Sequence, residues 1–319
     1  MKKKKYTGIL ICQLALLLMS LCCYSQKTTL DSLTSTLKTA KHDTTRAAIY
    51  IALSDELYLS DPDTVIPLCK KALAIVENNT ERKNLKEKKA FIVIEASAFN
   101  NIGFIHKQRG EVLMALEYYG KALKIFEDNN DKIGTAASLG NIGMIYNHQG
   151  DIPRALDHFE RSLKISEESE NAQGVGISFN NIAGVYMTLG ELTKALEYHN
   201  KALKIREKLG NKHGIALSLN NIGAIYNIEG DDVKALEYFN RSLKIREEIG
   251  DIKGMAFSLN TIGVLYVHQG KHEQALANYE KSLRLYRTIG ETEGIAHSFS
   301  HISGAYFKQK KHDRAGAYS

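Results

Sequence analysis

Apolar and polar positions along this chain fall into a phrase that returns every 40 residues without slippage, so that Asn101, Asn141, Asn181 and Asn221 occupy the same place in successive copies. From Lys212 to Gly230 the apolar positions are Ile215, Leu219, Ile222, Ile225 and Tyr226, a spacing that gathers side chains on one face of a helix. A second stripe runs through Val233, Ala235, Leu236, Tyr238, Phe239, Leu243 and Ile245 and stops at Gly250. Glycine just past a periodic stretch ends a helix, because it accepts the left-handed backbone that closes the last turn. Each period is therefore predicted to be a helical hairpin. Gly110, Gly150, Gly190, Gly230 and Gly270 mark the same stop in five copies. Such copying stacks one unit on the next, buries the apolar faces between them and leaves a long surface free to hold another molecule.

Small residues recur where the two helices of a hairpin must approach closely: Gly103, Gly143, Ala183, Gly223 and Gly263 on the first, Ala115, Ala155, Ala195, Ala235 and Ala275 on the second. Bulky residues fill the space they leave, at Phe99, Leu139, Phe179, Leu219, Leu259 and Phe299, and at Tyr119, Phe159, Phe239 and Tyr279. The order Leu219, Ile222-Gly223, Tyr226, Ala235, Phe239, Ser242 resembles the tetratricopeptide repeat, and the likeness covers roughly residues 92 to 319. The usual proline after the second helix is absent, and the period is about six residues longer than the commonest form. Residues such as Lys204-Ile205-Arg206-Glu207 can then continue that helix. This long variety is similar to the repeats of kinesin light chains, of spindle-orienting G-protein-signalling modulators and of many bacterial sensors. The resemblance implies an all-α, right-handed superhelical solenoid of antiparallel helix hairpins with a binding role.

Four segments follow. Residues 1–25 combine Lys2 to Lys5, an apolar stretch Ile9 to Leu21 and the small or neutral Cys23-Tyr24-Ser25, the pattern of an export signal. An uncleaved membrane anchor and a lipid-bearing cysteine are the alternatives; Leu21 before Cys22 speaks against the last. Export to a bacterial periplasm or attachment to a membrane is the resulting expectation. Residues 26–42 read as a capping helix with Leu30, Leu33 and Leu37 on one face. Residues 43–91 read as a worn repeat, its second helix starting at Asp61-Pro62 and bending at Pro67, with extra length between Glu77 and Lys89. Residues 92–319 hold five complete units and a sixth cut short, so that a longer parent protein is expected. One extended domain is predicted, since contacts in a solenoid run between neighbours.

Composition narrows the function. The formal net charge of +6 includes the four leader lysines Lys2 to Lys5, so about +2 remains after them, which argues against nucleic acid as a partner. Cys12, Cys22 and Cys23 lie in the leader, leaving Cys69 alone on an apolar face as a small buried hydrophobe rather than half of a disulfide.

The candidate chemistry lies in asparagines on the first helices: Asn101, Asn141, Asn181 and Asn221, doubled by Asn100, Asn180, Asn220 and Asn260. In a right-handed stack these helices line the concave groove. An asparagine amide can donate to a peptide carbonyl and accept from a peptide N–H, so a ladder of them recognises backbone irrespective of sequence. Helices about 10 Å apart would meet an extended strand advancing about 3.3 Å per residue at roughly every third residue. The competing role is hydrogen bonding between neighbouring repeats. Four rungs at roughly 0.5 to 1.5 kcal/mol each give about 2 to 6 kcal/mol, short of the 8 or so that micromolar affinity needs. Variable groove positions must supply the rest: Phe104, Met144, Asn147, Met187, Asn227, Phe257 and Phe307.

Other constellations are weak. His297 and His301, with His268, are half of a metal site that no cysteine or carboxylate completes, and no metal or cofactor is expected. The pairs Gly210/Gly214, Gly250/Gly254 and Gly290/Gly294 lack the Lys-Ser/Thr of a phosphate loop and read as turns. Charged residues late in the second helices, such as Arg246-Glu247-Glu248, read as a solvated face. No nucleophile, base and orienting group recur together. The expected function is a non-enzymatic scaffold holding a partner peptide or protein segment in its groove. The alternatives are the sensory front of a longer two-component kinase or membrane-bound regulator, and a self-associating structural scaffold.

Overall fold

The computed structural model describes residues 29–58, 61–79 and 85–309. The proposed leader and the sixth second helix lie outside them. Helix α1 covers residues 29–39. It is followed by α2 (Asp43–Leu57), α3 (Pro62–Glu77), α4 (Leu85–Gln108), α5 (Val112–Asp128), α6 (Lys132–His148) and α7 (Ile152–Glu168). Then come α8 (Ala172–Thr188), α9 (Leu192–Lys208), α10 (Lys212–Ile228), α11 (Asp232–Ile249), α12 (Ile252–His268), α13 (His272–Thr288) and α14 (Thr292–Lys308). No strand occurs among the described residues.

Where the periodicity predicts one extended domain, the chain divides into two compact units between Ser169 and Glu170. Within the first, α2/α3, α4/α5 and α6/α7 pair as antiparallel hairpins; within the second, α8/α9, α10/α11 and α12/α13 do so, and α14 packs on α13. Each second helix also packs on the first helix of the next hairpin in its unit. Leu30, Leu33 and Leu37 of α1 cover Ile49, Leu53 and Leu68. Helix α3 starts at Pro62 behind Asp61 and runs through Pro67 to Glu77. Part of the extra length of this region is taken up by α4, which has 24 residues where the later first helices have 17.

The turns explain the helix ends. At Gly150, φ is 76°, and the next amide, Asp151 N–H, donates to Tyr146 O at 2.9 Å while Gly150 N–H donates to Asn147 O. This closes the exposed carbonyls of α6. The Asp151 carboxylate then accepts from Arg154 N–H and caps α7. In the turns that join one hairpin to the next, Asn130 and Glu170 hold φ of 54° where later copies have Gly210, Gly250 and Gly290. A side chain at left-handed φ costs roughly 1 kcal/mol, and glutamate lacks the local bonding that helps asparagine there. Glu170→Gly is expected to stabilise the protein by about 1 kcal/mol, read as a rise in the denaturation midpoint.

The hairpin cores follow the predicted division of small and large. Ala115, Ala155, Ala195, Ala235 and Ala275 are all fully buried, and Tyr119, Phe159, Phe239 and Tyr279 are at most 2% exposed. Each aromatic ring lies over the glycine of its partner helix: a Cβ added at Gly143 would stand 2.7 Å from Phe159, and one at Gly223 would stand 2.7 Å from Phe239. Cys69 is buried and free, and burial pushes its thiol up to about 11, as suits a packing residue.

Candidate functional site: the asparagine face of the first helices

The amides sit where first helix meets first helix, and most of them reach across. In the first unit Asn101 Nδ2 donates to Ser54 Oγ at 2.8 Å and to Asp55 Oδ1 at 2.6 Å on α2, and Asn100 Oδ1 accepts from Ser138 of α6 at 3.5 Å. Burial raises the Asp55 carboxyl above its usual range, and the Asn101 amide partly offsets this. In the second unit Asn221 Nδ2 donates to Asn180 Oδ1 at 3.1 Å, and Asn260 Nδ2 to Ser298 Oγ of α14 at 3.4 Å. The inter-repeat role considered for these residues is therefore occupied at Asn100, Asn101, Asn180, Asn221 and Asn260.

Other amides are not so tied. Asn141 and Asn181 are half-buried, and their side-chain amides make no hydrogen bond within their own units. Asn220 is 5% exposed and Asn260 is 8% exposed, and the Oδ1 of each is buried without a donor. Asn147 Oδ1 is in the same condition, while Asn227 is half-buried. A carbonyl withheld from water and unpaired costs about 1 to 3 kcal/mol. The first helices thus carry unspent hydrogen-bonding capacity beside the ties that join them.

The variable positions divide likewise. Phe104 stacks on Tyr58 with ring centroids 3.8 Å apart, so its ring is engaged within the protein. Met144 and Met187 are half-buried, Phe257 is 49% exposed and Phe307 is 64% exposed. Among the described residues no group of three histidine, cysteine or acidic side chains is placed to hold a metal. His268, His297 and His301 belong to no such group.

Two readings of the sequence are corrected. Arg206 and Arg246 are not on a solvated face; each is 7% exposed. Arg206 Nη1 donates to Gly214 O at 3.1 Å and Ser218 Oγ at 2.7 Å, and Arg246 Nη1 to Gly254 O at 2.5 Å. Nor are Gly214 and Gly254 turn residues. They lie inside α10 and α12, where a Cβ would strike the arginine side chains at 2.8 Å. The other member of each pair, Gly210 or Gly250, makes the turn. The missed signal was register: position 206 or 246 corresponds to Phe126 and Tyr286 in other copies, both buried against the following helix.

Basic side chains near the hairpin tips are also engaged. Arg154, Lys194 and Lys234 lie over the rings of Tyr146, Tyr186 and Tyr226 at 4.4, 5.0 and 4.9 Å, and pair with Asp151, Glu191 and Asp231. Among the described residues no helix is long and apolar enough to cross a membrane.

No curated protein matches the chain. Among solved structures it is similar to BtubC (BKLC) from P. vanneervenii, at 20% identity over 70% of this chain and 92% of that one, with a TM-score of 0.56. RapI in its apo form is 19% identical over 85% of this chain and 94% of its own, with a TM-score of 0.62. NprR, solved in complex with its cognate peptide NprX, is 15% identical over 98% of this chain and 88% of its own, also at 0.62. Likeness at these identities is likeness of fold. A family model described as tetratricopeptide repeat matches residues 94–168, 175–248 and 254–318. Taken with hairpins that place the repeated glycine under the repeated aromatic ring, that match means that the chain belongs to the tetratricopeptide repeat family.

Proposed function

We propose that the protein is a non-enzymatic binding scaffold that holds an extended segment of a partner protein along the first-helix face of its hairpins. The observation that carries this reading is the pair of half-buried amides on that face, at Asn141 and Asn181, whose oxygens are neither enclosed nor tied within their own units. An extended peptide offers N–H groups at regular intervals, which is the complement such oxygens need. The fold shared with NprR, whose structure holds a peptide, supports the same reading. The segment 1–25 extends the proposal to an exported protein or one attached to a membrane at its N-terminus.

Selection from a displayed library of random linear peptides tests the scaffold. Binders are expected, and Asn141, Asn181 and Asn221 changed together to Ala should weaken them roughly ten-fold or more, as the loss of two or three net hydrogen bonds implies. Asn180→Ala serves as the control, because it breaks the tie to Asn221 while leaving Asn221 present. A library that yields no binders, or peptides indifferent to the triple change in a folded protein, would overturn the proposal.

A further inference from the structure

A cavity of about 330 Å³ opens between α12 and α14, lined by Phe257, Asn260, Thr261 and Val264 of α12, Tyr286 of α13, and His297 and His301 of α14. Sites that hold small organic groups are of this size, mostly apolar, with a few placed polar groups. At this cavity the chain also abandons its own phrase. Thr261 and His301 stand where four earlier copies have asparagine, and His297 stands where the two preceding copies have Leu217 and Phe257. We propose that the cavity is a side-chain subsite for an aromatic ring bearing a single hydrogen-bond donor, an indole or a phenol presented by a bound segment. The proposal rests on the scaffold reading above and names one of the side chains it would hold.

Three features select that chemistry. Among the described residues no lysine, arginine, aspartate or glutamate lines the cavity, so a charged group entering it would lose water without gaining a counter-ion from them. His301 is half-buried and stacked on Tyr279 at 5.0 Å, and burial, with His297 beside it, lowers its affinity for a proton; it is a neutral aromatic wall. Asn260 has an unpaired Oδ1, and its amide is anchored only by the 3.4 Å contact to Ser298. The oxygen is enclosed as the side chain stands, and rotation about its broad terminal torsion, at the cost of the long Ser298 contact, is what would turn it to a donor in the cavity. Thr261 offers no competing donor, since its hydroxyl is spent on Phe257 O at 3.0 Å. An aliphatic side chain would fill the volume and leave the oxygen unpaired; an indole N–H or a phenol O–H does both.

The chain contains no tryptophan, so an indole added to it is the sole indole fluorophore in the sample. N-acetyltryptophan amide titrated into the protein is expected to show a blue-shifted, more anisotropic emission, with half-saturation roughly millimolar for so small a probe. Its 1-methyl analogue, which lacks the indole N–H, should bind about five-fold more weakly, the worth of one hydrogen bond. Asn260→Leu should abolish that preference. Phe257→Ala, at a half-exposed lip residue whose loss leaves the hairpin core intact, should weaken both probes, with helicity by circular dichroism as the check on folding. No saturable shift, or equal binding of the two probes to the unaltered protein, overturns the subsite. Capture of linear peptides without any indole effect would sink the subsite and leave the scaffold. Failure of all peptide capture would instead sink the scaffold, while the probe titration still decides the cavity.

Discussion

At pH 5 the second unit is expected to be about 2 kcal/mol less stable than at pH 7, and one side chain accounts for it. His199 on α9 occupies the place held in other copies by Tyr119, Phe159, Phe239 and Tyr279. It is 1% exposed, and neither ring nitrogen has a partner. Burial first, and the Arg206 guanidinium second, hold its imidazole down at about 4, from an ordinary value of 6.5. The unfolded chain therefore takes up a proton near pH 6.5 that the folded chain refuses until about pH 4. Stability from this group is complete above the upper value and drains away as pH falls through the window, by about 3 kcal/mol in all. Denaturation midpoints at a series of pH values, with hydrogen exchange of α9 amides as the local readout, check this. In the variant His199→Phe with Ala183→Gly, which restores the usual ring and the room for it, the acid loss between pH 7 and pH 5 should shrink by about 2 kcal/mol. An unchanged pH profile in that variant would assign the loss elsewhere.

Alanine in place of Gly143 should destabilise the first unit by about 1 to 3 kcal/mol, the usual cost of overfilling a packed core. Helical propensity alone says the reverse, since glycine to alanine in a helix interior gains roughly 1 kcal/mol. Packing wins here because the new methyl would stand 2.7 Å from the Phe159 ring, which is itself fully enclosed. Gly120 in α5 of the same unit supplies the contrast: nothing lies within 4 Å of its added Cβ, and Gly120→Ala should stabilise by about 1 kcal/mol. Urea midpoints of the two variants should move in opposite directions. Movement in the same direction would mean that the ring over Gly143 yields more easily than its burial implies.

The hairpins and their closest approaches were legible because each is written several times: one Gly143 under one Phe159 is an accident, but four such pairs at fixed spacing are a packing rule. What escaped was what a single copy does differently. Arg206 and Arg246 look like surface charge until the register aligns them with Phe126 and Tyr286, after which their burial over Gly214 and Gly254 is expected. The cavity beside Asn260 depends on Thr261, Val264 and His301, departures whose meaning lies in how α12 and α14 come together in space. The asparagines do lie on the first helices, yet sequence could not apportion the amides between neighbouring helices and a partner. That division turns on distances of a few tenths of an ångström, as between the 2.8 Å contact of Asn101 and the 3.4 Å contact of Asn260.

The ties between first helices have a mechanical side. Asn221 holds Asn180 with one of its two amide hydrogens, so a strand that drew off both would slacken the seam between α8 and α10. Occupancy would then be felt as a change in compliance of the stack, a loosening along one edge of the second unit while the arginine anchors of Arg206 and Arg246 keep the opposite seams shut.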